Sequence, residues 1–250
     1  MMLENSVATA PPIEVNDFLI GRVGKSTSGK STSLMHLEDP ENVLYLNCEA
    51  GKRLPFPAKF KQVVITDPLM VYSVFDKLIS SDKYHTVIID SITYLMDMYE
   101  TMYVIPAEDP RKAWGDYQQY FKKLMQYYVP MAKRITLLLA HTTDTVTKDS
   151  IRETAIPVKG ALKNLGIESY FSLIVAAKRM PISSLTEYHS NLLTVTEKEK
   201  LLKFKHVLQT DITADTVYER LRAPIGLFSS DETFIDGNIQ LVIDRLKQYY

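Results

Sequence analysis

Short apolar runs alternate along the chain with segments of helical spacing. Phe18-Leu19-Ile20 predicts a first short strand, followed by a Gly- and Ser-rich loop and a helix beginning near Lys30. Val43-Leu44-Tyr45-Leu46 and Val63-Val64-Ile65 predict the next two strands. Val71, Val74, Phe75, Leu78 and Ile79 recur at helical spacing, which predicts a helix over 69–80 with one buried face. Thr86-Val87-Ile88-Ile89 is a continuous apolar strand ending at Asp90. Such strands are usually covered on both faces, as in parallel sheets. Trp114, Tyr117, Phe121, Leu124 and Tyr128 make an aromatic helical stripe, which Pro130 is expected to interrupt.

Residues 135–140 form another apolar strand, 142–157 a long polar loop, and 171–177 a further strand. Residues 201–209 and 216–222 suit antiparallel strands. The segment 238–250 places Ile239, Val242, Ile243, Leu246 and Tyr249 on one face of a closing helix. The expected fold is α/β: a mostly parallel twisted sheet with helices on both faces, and antiparallel strands near the C-terminal end. Residues 1–16, polar and containing Pro11-Pro12, read as a flexible arm ahead of one domain over 17–250.

Composition narrows the classes. Of 250 residues, 46% are hydrophobic and 24% charged, enough apolar material for a sizeable core. The net charge of -1 gives no chain-wide basic field, so contact with nucleic acid must come from local Lys and Arg clusters. Cys48 is the only cysteine, which excludes an internal disulfide and Cys-based metal sites. The first residues do not read as a signal peptide, and no run reaches the length of a membrane helix. A cytoplasmic, reducing location is expected.

The chemistry begins at Gly24-Lys25-Ser26-Thr27-Ser28-Gly29-Lys30-Ser31, which fits G-x-x-x-x-G-K-[ST] at every fixed position. Its glycines let the loop curl so that successive N–H groups face phosphate oxygens. A helix start just beyond, through Thr32, would add its positive end. Lys30 is expected to reach the β- and γ-phosphates and Ser31 to supply a hydroxyl to Mg²⁺. Asp90, at the end of a buried strand, is the expected second Mg²⁺ group. Glu49 sits where a carboxylate can orient water, or is a loop acid before Gly51. His141 ends the strand over 135–140 and can face the γ-phosphate or be structural. Arg220 and Arg222 alternate along one predicted strand, which puts both on one face, either as a solvated edge or as an arginine finger.

In this order, these residues resemble the RecA-like ATPase core shared by RecA, DnaB-type helicases and KaiC. The resemblance spans roughly residues 18–226, and compact phage recombinase or single-strand annealing ATPases are the most similar overall. It implies that Glu49 is the catalytic glutamate that activates water and that His141 couples ATP to a DNA-binding loop. It also implies that Arg220 and Arg222 act across a subunit interface. Asn47 departs from it, standing where such proteins often carry an acid, and so does Arg220, which replaces a Lys.

The resemblance also implies loops over about 100–113 and 142–159 that hold single-stranded DNA, the second offering Lys148, Arg152 and Lys159, with Lys163 just beyond. The function expected is an oligomeric, ATP- and Mg²⁺-dependent recombinase or annealing ATPase acting on single-stranded DNA, with a single-strand-binding protein as a further partner. A ring helicase and a nucleotide-switched assembly ATPase without a DNA partner are the alternatives. No [NT]-K-x-D guanine-reading motif is present, which disfavours a GTPase.

Overall fold

The computed structural model describes residues 16–146 and 150–250. Ten strands run in chain order: β1 (Leu19–Gly24), β2 (Val43–Asn47), β3 (Lys61–Val64), β4 (Thr86–Asp90), β5 (Ile135–His141), β6 (Thr143–Val146), β7 (Arg152–Ala155), β8 (Leu173–Pro181), β9 (Phe204–Gln209) and β10 (Phe234–Asp236). Eight of them form one sheet in the order β10-β9-β8-β1-β5-β4-β2-β3. The strands from β8 to β3 pair in parallel, whereas β9 and β10 are antiparallel. This is the α/β arrangement expected from the alternation of buried strands and helices.

Helices α1 (Met70–Ile79), α2 (Ile92–Tyr99), α3 (Pro110–Lys123) and α4 (Val129–Ala132) cover one face, where Leu46, Ile89, Leu138 and Phe121 are fully buried. On the other face, Ile20, Ile88, Leu137 and Leu208 meet the last helix of the chain (Ile239–Tyr249). Alternate residues of each central strand therefore enter opposite cores, which is why these strands read as continuous apolar runs. Among the described residues, no helix is long and apolar enough to cross a membrane.

Several expected elements differ. No long helix follows the Gly/Ser-rich loop; Thr32–Leu34 is a single 3₁₀ turn. Pro40 pushes the residue before it away from α-helical backbone, and Asp39 is left-handed at φ 43°. Too little chain remains between Lys30 and Asp39 for more than a turn or two. Pro130 does not end its helix. The five residues before α4 (Leu124–Tyr128) widen into a π-helix, which carries the chain past the missing N–H.

The expected loop over 100–113 is mostly helical, with Glu100–Val104 a π-helical extension of α2 and α3 starting at Pro110. The expected loop over 142–157 is a hairpin, β6 paired with β7. Its Thr- and Val-containing arms suit strands, but they lack the apolar alternation that would reveal them. Residues 216–222 are not a strand. They follow on from the 3₁₀ turn Ala214–Thr216, and their backbone meets the sheets in isolated bridges, Thr154 with Glu219 and Ile174 with Arg222. Thr213 and Thr216 satisfy one another's backbone locally, which competes with strand pairing.

Candidate functional site

The sheet order puts the carboxyl ends of β1, β5, β4 and β2 side by side, and each carries one of the predicted groups. Gly24 pairs in register with His141, and Asp90 with Asn47, two residues before Glu49. Beyond β1 the loop turns tightly. Thr27 has φ 63° and Gly29 φ 95°. The first is unusual for a β-branched side chain, and such strain is kept where a loop has a task. At Gly29 an added Cβ would also meet the His206 ring at 3.0 Å, so glycine is required there.

Within this loop the Lys30 ammonium is buried. It donates to the carbonyls of Gly24 and Lys25, both at 2.9 Å, and lies 3.3 Å from His141 Nδ1. Desolvation, with the Arg22 charge adding to it, lowers its pKa to about 8, so it is still mostly charged at neutral pH. Ser31 Oγ donates to Asp90 Oδ2 at 3.1 Å, and the buried Tyr45 hydroxyl donates to the same oxygen at 2.7 Å. Burial raises the Asp90 pKa from its ordinary value, partly offset by the Tyr45 hydrogen bond.

Glu49 faces this pair from the loop after β2. Its Oε1 lies 3.2 Å from His141 Nε2, and its Oε2 accepts from Lys52 at 3.1 Å. Burial alone would raise its pKa, but the Lys52 and His141 hydrogen bonds outweigh that and leave it below the ordinary value. Asn47, fully buried, braces the loop: its Oδ1 accepts from the Glu49 N–H and its Nδ2 donates to the Lys52 carbonyl. The Thr93 hydroxyl accepts from the His141 N–H at 2.9 Å.

The predicted residues Gly24 to Thr32, Glu49, Asp90 and His141 thus come together. Tyr45, Lys52, Thr93 and Arg22, and the bracing role of Asn47, escape the sequence, because no local motif marks a residue that acts by holding another. The hard oxygens of Ser31 and Asp90 suit Mg²⁺, which binds through one or two carboxylates together with substrate phosphates. Among the described residues no group of three or more His, Cys, Asp or Glu side chains forms a protein-only metal cage.

The remaining predicted residues lie elsewhere. Arg220 donates to Glu168 at 3.2 Å, and Arg222 to the Ser169 carbonyl at 3.3 Å. Both therefore rest on one turn of their own chain, Glu168–Tyr170. Arg152 is bound to Asp144, which also accepts from Lys25 at 2.6 Å and from Thr154 at 2.9 Å. Lys159 is paired with Glu100 at 2.5 Å. Lys163 is exposed, and Lys148 lies outside the described residues.

A cavity of about 740 Å³ opens on the hairpin side of the loop, where Lys25, Asp144, Lys178, Glu219 and Arg220 line it. These three cations are each paired with an acid, Lys178 with Glu219 at 2.5 Å among them.

Residues 20–207 match a family described as an AAA domain, a family of P-loop NTPases. No curated protein matches the chain.

Proposed function

The chain belongs to this AAA domain family, and from that premise we propose that it hydrolyses ATP with Mg²⁺, Glu49 activating water and His141 reporting the γ-phosphate to the β6–β7 hairpin. One observation carries this reading. A single imidazole touches the P-loop lysine on one side and the candidate catalytic carboxylate on the other, and β6 begins two residues further on.

The residues divide the work as follows. Turned-in N–H groups of the loop hold phosphate, and Lys30 leaves the Gly24 and Lys25 carbonyls to meet the β- and γ-phosphates. Ser31 and Asp90 hold Mg²⁺, which when bound offsets charge on the phosphoryl oxygens. Glu49 is ionised at neutral pH and fixed by Lys52 and His141. It orients the attacking water and takes up its proton. When Lys30 moves to phosphate, the His141 ring loses its Nδ1 contact, and the change passes along the backbone into the hairpin.

At a finer level, the reading is an oligomeric recombinase or annealing ATPase with ATP bound between subunits and single-stranded DNA against the hairpin. The RecA-like order of residues supports it, as do the exposed positions of Arg220 and Arg222. A specific observation favours a second reading, a nucleotide-switched assembly ATPase without DNA. Arg152 and Lys159 are already neutralised within the chain, so a nucleic-acid backbone would have to displace Asp144 and Glu100.

The test is ATP hydrolysis with and without single-stranded DNA, with Glu49→Gln as the control. Stimulation by DNA that is lost in the variant supports the recombinase reading. Hydrolysis indifferent to DNA selects the assembly ATPase. No Mg²⁺-dependent hydrolysis at all would overturn both.

A further inference from the structure

Arg22 lies in β1, two residues before the P-loop begins, and is 1% exposed. In register it stands beside Leu139 of β5, and Leu139 beside Asp90 of β4. Arg22 and Asp90 therefore share one row and one face of the sheet, two strands or about 10 Å apart. Among the described residues, no carboxylate lies within ion-pair distance of the guanidinium. Its Nε donates to Ser33 Oγ at 3.1 Å and its Nη1 to the Val23 carbonyl at 3.4 Å. Ser33 Oγ in turn donates to the carbonyl of Lys30 at 2.7 Å.

A buried charge without a counter-ion keeps a desolvation cost that no ion pair offsets. Elsewhere in the same sheet the chain avoids that cost. Lys205, also buried, lies 2.8 Å from Glu199 and 3.0 Å from Asp236. Burial lowers the Arg22 pKa only to about 9, so the charge persists at neutral pH. A hydrophobic residue would fill this place between Ile20, Leu139 and Val175 at lower cost. What the guanidinium adds is a positive charge under the loop and a fixed link through Ser33 to the Lys30 carbonyl. That link matters because a single 3₁₀ turn, rather than a long helix, supports the loop from behind.

We propose that Arg22 is a positioning residue for the phosphate site, a buried cation that fixes the Lys30 carbonyl through Ser33 and whose charge is balanced only when an anionic nucleotide occupies the loop. The proposal rests on the reading of Gly24 to Ser31 as a triphosphate site. Its consequence is a trade: Arg22 weakens the empty protein and strengthens the nucleotide-bound one.

The experiment compares Arg22→Met, Arg22→Gln and Arg22→Lys with the unaltered chain, by thermal melting with and without ADP and by calorimetric titration with ADP. Arg22→Met is expected to melt at the same temperature as the unaltered protein or higher when empty, while its ADP Kd rises at least tenfold. Arg22→Gln, which keeps a donor for Ser33 but not the charge, should lose affinity comparably. Arg22→Lys, which keeps the charge, should retain more of it than either. In hydrolysis, KM should rise more than kcat falls.

A lower melting point of empty Arg22→Met with unchanged ADP affinity would overturn the proposal, as would its failure to fold while Arg22→Gln binds ADP normally. If the unaltered chain itself does not bind ADP, the reading of the P-loop site falls and this inference with it. If it binds and all three variants bind equally well, only the role of Arg22 is lost.

Discussion

Lys30 Nζ lies 3.3 Å from His141 Nδ1, at the base of the β6–β7 hairpin. The far nitrogen of the same ring meets Glu49, so a residue of the loop after β1, one of the loop after β2 and the last residue of β5 form one contact chain. Lys30 cannot move to a phosphate without altering His141.

This chain predicts a separation of binding from hydrolysis. Glu49→Gln should lower kcat by about 10²–10⁴-fold, the usual contribution of a positioned acid–base group, and leave ADP affinity within about twofold. His141→Ala should lower kcat less, but should abolish any response of the hairpin to nucleotide. Steady-state hydrolysis and hydrogen exchange over residues 143–155, with and without ADP, measure both. An unchanged kcat in Glu49→Gln would remove Glu49 from the mechanism.

Tyr45 predicts a metal effect. Its hydroxyl and that of Ser31 share Asp90 Oδ2, which fixes the carboxylate's orientation. Tyr45→Phe should cost about 1 kcal/mol of stability, the net worth of one hydrogen bond. It should also raise the Mg²⁺ concentration needed for half-maximal hydrolysis several-fold. Urea unfolding and a Mg²⁺ titration separate the two effects, and an identical titration curve would show that Asp90 needs no such support.

Asp144 predicts a pH effect. The Lys25 hydrogen bond, then those of Thr154 and Arg152, outweigh burial and lower its pKa to about 2. A depressed carboxylate stabilises the folded hairpin fully above its ordinary value near 4, and that contribution is lost as pH falls toward 2. Hydrogen exchange in β6 and β7 should therefore accelerate, relative to the eight-stranded sheet, between about pH 4 and pH 2. Asp144→Asn should show the faster exchange already at pH 7. Equal exchange in the two proteins at pH 7 would mean that the clasp does not hold the hairpin.

A shared active site predicts complementation. Arg222→Ala should abolish hydrolysis while sparing nucleotide binding, and mixing it with inactive Lys30→Ala protein should restore part of the activity. No recovery at any mixing ratio counts against arginines acting across a subunit interface.

By itself the sequence determined the P-loop, the buried central strands, Asp90 at a strand end and the sheet class. The reason is that these are local facts. A phosphate cradle needs its residues within eight positions, and a strand covered on both faces must be apolar throughout. The truncated helix after the loop was also within reach, since Pro40 stands in plain view.

Only the tertiary structure decided which charges are engaged and with what. Lys25 and Asp144 are 119 positions apart, and Tyr45 and Asp90 are 45 apart, so no spacing rule joins them. Arg152 and Lys159 read as available cations along the chain, but folding brings a carboxylate to each. Arg22 lies outside every motif along the chain, and folding leaves it buried with no carboxylate beside it. Pairing across the sheet depends on strand order, and strand order is fixed by how two cores close over both faces at once.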